Sequence, residues 1–163
     1  MSAATRIGAL IAKEFRHLGR DRRTLAVVLA LPVLLSAHPY GKDAVPVRRG
    51  RRWRINPQFR IMNQPAPVRI SDQTSWGAPD RVWWVGQGYA VINLDVRGGG
   101  RSEGRGALFS DQEADDIAQV IAWAAAQPWS NGRVGMLGVS YLAISQYKVA
   151  ARNPPALKAI CVG

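Results

Sequence analysis

Cysteine is nearly absent from this chain, and histidine almost so. Of 163 residues, one is a cysteine, Cys161, and two are histidines, His17 and His38. An internal disulfide is excluded, and no Cys/His cluster offers metal-ligand spacing, so neither a metal nor any other cofactor is expected. Cys161, among the apolar residues of Leu157–Val162, reads as a buried strand residue. Acids are half as numerous as bases, 11 against 22, and neither an acid nor a histidine follows Ser140. Long apolar runs are missing too. Leu25 to Leu35 is eleven residues, well short of the roughly 20 that cross a bilayer. A phosphate-binding loop is also lacking: Gly98-Gly99-Gly100 fails the dinucleotide pattern because Glu103 stands where the third glycine belongs.

The net charge of +11 is confined to one part of the chain. Residues 1–70 hold 14 Lys and Arg against Glu14, Asp21 and Asp43, whereas residues 71–163 hold eight of each sign. The basic run Arg48-Arg49-Gly50-Arg51-Arg52-Trp53-Arg54 has the Arg/Trp interleaving of a single-strand binder, but no recognition fold accompanies it. It reads as part of a long solvated loop over residues 43–75, and no nucleic-acid partner is expected.

Residues 1–30 form a separate basic and apolar segment. A helical pattern from Arg6 to Arg16 is followed by Arg20-Asp21-Arg22-Arg23 and the Leu-rich run. The layout is signal-like, although Leu35-Ser36-Ala37 is a poor cleavage site. Residues 1–36 also resemble the start of an ABC exporter permease, where Lys-Glu-Phe, Arg-Asp-Arg-Arg-Thr-Leu and Leu-Pro-Val-Leu-Leu lead into a first membrane helix. Here the apolar run stops at His38-Pro39-Tyr40. At most a weak, interfacial membrane association through residues 1–36 is expected, with the cytoplasm as the compartment.

From residue 31 onward, strand and helix signals alternate. Strands are expected at Leu31–Ala37, Tyr89–Val96, Val134–Val139 and Leu157–Val162. Pro79–Gly88 reads as a short helix closed by glycine. Ser110-Asp111-Gln112-Glu113 is a capping box, opening a helix apolar on one face at Ala114, Ile117, Ala118, Ile121, Ala124 and Ala125. Its acids Asp111, Glu113, Asp115 and Asp116 suit the helix dipole. Such alternation predicts an α/β fold, a mostly parallel sheet with flanking helices. Chemistry then belongs at the carboxyl ends of the strands, where Tyr40, Asp95–Arg97 and Ser140 fall.

The stretch Arg133-Val134-Gly135-Met136-Leu137-Gly138-Val139-Ser140-Tyr141-Leu142-Ala143 runs from an apolar strand through a sharp turn into a helix. That is the setting of a nucleophile elbow, with Ser140 held above the sheet at a helix N-terminus. A serine there can equally be a helix N-cap. Asp95 and Arg97, two apart and on one strand face, read as a supporting ion pair.

Together these pieces resemble the α/β-hydrolases of the cocaine esterase and Xaa-Pro dipeptidyl-peptidase (CocE/NonD) family. The likeness runs from about Pro32 to Gly163. It rests on His38-Pro39-Tyr40-Gly41-Lys42, Gly88-Tyr89-Ala90-Val91, Asp95-Val96-Arg97-Gly98 with Ser102-Glu103-Gly104, the stretch Trp123 to Gly135, and Gly138-Val139-Ser140-Tyr141-Leu142-Ala143. The resemblance implies a catalytic domain over 31–163 and a small ester or peptide substrate. It implies Ser140 as acyl-accepting nucleophile, with the Tyr40 hydroxyl and the Tyr141 backbone N–H as oxyanion donors.

In such enzymes an Asp or Glu and then a His follow the serine. Neither occurs here, and His38, which precedes Ser140, makes a poor substitute. The expectation is therefore a hydrolase fragment, truncated relative to the family's fold and inactive by itself. Its four strands would be the middle of a larger sheet, and self-association through the exposed edges is expected.

Overall fold

The computed structural model describes residues 31–61 and 70–163. The expectations for residues 1–30 lie outside the described residues; of the 1–36 stretch with the permease likeness, the part from Leu31 on belongs to a strand of the sheet. None of the described helices is long and apolar enough to cross a membrane.

Four strands build one sheet. β1 (Leu31–His38) is joined in sequence by a hairpin, β2 (Val47–Arg49) and β3 (Arg52–Arg54), and by two short helices, α1 (Gln58–Ile61) and α2 (Arg81–Gly86). Then come β4 (Ala90–Asp95), α3 (Asp111–Ala125), β5 (Ser130–Gly138), α4 (Tyr141–Ala150) and β6 (Leu157–Val162). The strand order is β4-β1-β5-β6, every neighbouring pair parallel. The expected α/β architecture and all four expected strands are thus present. β5 starts at Ser130, four residues before its expected beginning, because Ser130 pairs with Leu31 ahead of a register shift.

β1 is the centre of the fold, buried from Val33 to His38. One face is apolar: Val33, Leu35 and Ala37 pack with Val134 and Met136 of β5 and with Ala114, Ile117, Ile121 and Ala124 of α3. These four α3 residues recur at three- and four-residue spacing and form the buried centre of the face read from sequence, whose other two members, Ala118 and Ala125, are only partly buried. Ser36 and His38 point the other way, and their register partners on β4 are Asn93 and Asp95. A polar seam results, in which the Ser36 hydroxyl, His38 Nε2, Arg81 Nε and both amide atoms of Asn93 are buried without a hydrogen-bond partner among the described residues.

Two local readings are corrected. The basic run is not loop throughout: Val47↔Arg54, Arg48↔Trp53 and Arg49↔Arg52 form a short antiparallel ladder. The turn between its strands is made by Gly50 and Arg51, and Gly50 adopts φ +58, a conformation glycine takes without steric cost. Hydrophobic alternation is the usual sign of a strand, and a ribbon made of arginines hides it. Cys161 is exposed rather than buried, because β6 has no strand on its outer side among the described residues.

Candidate active site

β5 ends at Gly138 and α4 starts at Tyr141, leaving Val139 and Ser140 to make the whole turn. The reversal is tight enough that a Cβ added to Gly138 would sit 2.4 Å from the Leu142 Cβ, so no larger residue fits. Ser140 takes φ 61 and ψ −122, a region that non-glycine residues enter at a cost of about 1–3 kcal/mol and keep only when the surroundings impose it. One such constraint is the Val139 N–H, which donates to the Gly77 carbonyl at 2.8 Å.

The strained backbone bears on the N-cap alternative. An N-cap serine has extended dihedrals and accepts a hydrogen bond from the first turn. Ser110 does so at the head of α3, with φ −75, ψ 165 and its side chain accepting from Glu113 N–H. Ser140 has neither feature: its hydroxyl makes no cap bond and its side chain is exposed. Leu142 N–H donates to Val139 and Ala143 N–H to Ser140, but no acceptor among the described residues takes the Tyr141 N–H. That donor is left at the helix N-terminus, beside the Ser140 hydroxyl.

Tyr141 is buried. Its ring lies edge-on to Tyr40 with centroids 6.2 Å apart, and tilted against Phe109 at 4.6 Å. The phenol O–H donates to the buried Glu113 carboxylate. Burial, and then the Glu113 acceptor, raise the phenol above its ordinary range, so Tyr141 stays protonated. Tyr40, from the turn after β1, is exposed. The turn and the elbow thus bring Tyr40, Ser140 and Tyr141, the three residues singled out from sequence, to one end of the sheet. Glu113 was read from sequence as a capping-box residue. The Ser110 half of the box forms at 3.1 Å. Ser110 N–H is bonded to the Ala107 carbonyl, and the Glu113 side chain goes to Tyr141 instead. Its place before an apolar helix face gave no sign of that partner.

The Asp95–Arg97 pair is corrected. β4 ends at Asp95, so Arg97 leaves the strand and its guanidinium binds Asp116 through two bonds of 2.7 Å. Asp95 turns instead to the Tyr40 loop. Its carboxylate accepts from Lys42 N–H at 2.6 Å, Lys42 Nζ at 2.9 Å and Arg101 N–H at 2.9 Å. Burial pushes this carboxyl up, but the backbone donors of Arg101 and Lys42 and the Lys42 ammonium outweigh it and hold Asp95 below the ordinary carboxylate range. Asp95 therefore fastens the loop that carries Tyr40 to the end of β4, a role that needs it ionised.

His38 is buried against Asp95, Arg81 and Lys42. Burial, reinforced by the two cations and only partly opposed by Asp95, lowers its pKa to about 4. It is neutral, enclosed and within the sheet, which does not suit a base for an exposed serine. Among the described residues no cluster of His, Cys, Asp and Glu has the makings of a metal site.

Comparison with known proteins agrees with this architecture. The family model for the X-Pro dipeptidyl-peptidase (S15 family) matches residues 27–162. The cocaine esterase of Rhodococcus sp. (strain MB1 Bresler) is 35% identical over 125 residues, which are 71% of this chain and 22% of the esterase. A CocE/NonD family hydrolase from Staphylococcus aureus superposes with a TM-score of 0.68 at 39% identity, over 80% of this chain and 22% of the hydrolase. An aminopeptidase from a marine-sediment Thaumarchaeota archaeon superposes at 0.51 with 25% identity, over 82% of this chain and 20% of the aminopeptidase. The chain thus spans about a fifth of the length of each of these relatives.

Proposed function

The chain belongs to the X-Pro dipeptidyl-peptidase (S15) family of hydrolases, and we propose that it carries the nucleophile and oxyanion-binding part of a serine hydrolase for ester or Xaa-Pro amide bonds. The observation behind this reading is the backbone of Ser140. A non-glycine residue at φ 61 is costly to maintain, and here its exposed hydroxyl caps nothing and sits next to a Tyr141 N–H that no acceptor among the described residues takes.

In the proposed reaction the Ser140 Oγ attacks the carbonyl carbon while a base removes its proton. The carbonyl π electrons move to oxygen, and the new oxyanion is bound by the Tyr141 N–H and the Tyr40 hydroxyl. Collapse expels the alkoxide or amine, which takes the proton from the base, and water then releases the acyl group by the same route. The proton transfers need a histidine held by an acid. No Asp, Glu or His follows Ser140 in these 163 residues, and His38 is enclosed in the sheet. We therefore assign the base and its acid to residues outside this chain, and these 163 residues alone to an inactive state.

Hydrolysis of p-nitrophenyl butyrate tests both parts. The chain alone is expected to match its Ser140→Ala variant. Addition in trans of the remaining portion of the S. aureus hydrolase is expected to produce turnover that Ser140→Ala abolishes. Turnover by the chain alone that Ser140→Ala removes would overturn the inactive state. Turnover in trans that survives Ser140→Ala would overturn the nucleophile.

A further inference from the structure

Four acids occupy the first two turns of α3, and three of them face cations. Asp111 and Asp115 pair with Arg152, and Asp116 pairs with Arg97. Glu113 is the exception. It is buried, no cation lies within salt-bridge distance among the described residues, and its carboxylate accepts a hydrogen bond from the Tyr141 phenol. Enclosing a carboxylate is unfavourable unless its hydrogen bonds offset the lost hydration. An alanine or leucine would serve the packing of this helix face without that cost. The explanation lies in what Tyr141 does, since it is the residue that follows Ser140 and the first of α4.

Strained dihedrals at Ser140 persist only if both flanks of the turn are held. On the strand side the Val139 N–H to Gly77 carbonyl bond does this at 2.8 Å. On the helix side Ala143 and Ile144 N–H donate to the Ser140 carbonyl at 2.9 and 3.0 Å, but among the described residues no backbone bond reaches Tyr141 N–H, and the further anchor there is the Tyr141 side chain. Its ring is flanked by Tyr40 and Phe109 and its hydroxyl ends on Glu113. Phe109 is itself fixed, because its carbonyl accepts from Lys148 of α4. We propose that Glu113 is a positioning residue for the elbow: by holding the Tyr141 phenol it fixes the first residue of α4, and with it the direction of the Tyr141 N–H beside Ser140. The purpose of that alignment rests on the nucleophile reading above; the clamp itself does not. Glu113 touches no reacting atom and acts through Tyr141.

Hydrogen–deuterium exchange on the full chain tests the clamp without relying on turnover. Peptides covering 139–144 report the elbow and those covering 157–163 report β6. Glu113→Ala and Tyr141→Phe are expected to speed exchange at the elbow at least about tenfold more than at β6. Glu113→Gln, whose carboxamide oxygen still accepts from the phenol, is expected to stay within about threefold of the parent. Tyr141→Phe removes a single oxygen, so it decides the matter should Glu113→Ala fail to fold. Equal acceleration at both places would make Glu113 a packing residue and overturn the proposal, as would no acceleration in Tyr141→Phe. Ester turnover that survives Ser140→Ala would refute the nucleophile while leaving the exchange result standing, so the two failures are separable.

Discussion

Lowering the pH from 7 to 5 is expected to weaken this fold through one residue, His38. Its ring is enclosed at the end of β1, with Nε2 buried and without a hydrogen-bond partner among the described residues. The neighbouring Asp95 would favour an imidazolium, but that carboxylate is already engaged by Lys42 and Arg101, and Arg81 and Lys42 both oppose a new positive charge. The folded-state pKa is about 4 against an ordinary 6.5. The unfolded chain therefore takes up the proton first, and the stability associated with neutral burial, complete above about pH 7, is lost as pH falls through 6.5 toward 4. At 1.36 kcal/mol per pH unit the full loss is roughly 3 kcal/mol, of which about 2 kcal/mol falls between pH 7 and 5. Asp80 and Asp95 are both held below the ordinary carboxylate range, so their own losses of stability begin at lower pH and leave this window to His38. Urea unfolding followed by tryptophan fluorescence at pH 7, 6 and 5 reads the effect directly, with His38→Leu as the non-titrating control. The parent is expected to lose about 2 kcal/mol across the series and the variant less than about 0.5 kcal/mol. A parent equally stable at pH 7 and 5, or a variant with the same slope, would show that the imidazole is hydrated or paired in the folded state.

Two further outcomes follow from the backbone. Ser140→Gly is expected to raise thermal stability by about 1 kcal/mol, because glycine tolerates φ 61, whereas Ser140→Ala keeps the strain and gains nothing comparable; equal melting temperatures for the two variants would contradict a strained elbow. Self-association through the outer edges of β4 and β6 is expected, since neither has a strand neighbour among the described residues and Val162 of β6 is exposed. Sedimentation velocity with the chain alone should show oligomers, and a sharp monomer boundary with cooperative thermal unfolding would refute it.

What the sequence determined by itself was the succession of elements and the identity of the turn residues. Periodicity is a local property, so the α3 face at Ala114, Ile117, Ile121 and Ala124 and the apolar strand at Val33–Leu35 were legible before any coordinates. The sharp elbow was legible too, because Gly138 beside Ser140 answers a local steric demand. Partners across the fold were not. Asp95 and Arg97 are two residues apart in sequence, yet the strand ends between them, and each finds a charge from another segment, Lys42 and Asp116. Glu113 satisfied a local capping pattern while its side chain was committed to a phenol 28 residues away. His38 was legible only as a turn residue and a poor substitute base until β4 paired beside it and its ring came to lie among Asp95, Arg81 and Lys42. Electrostatic and hydrogen-bond partners are chosen by distance in space, and burial by what packs alongside; both are decided only once the sheet order β4-β1-β5-β6 has brought distant segments together.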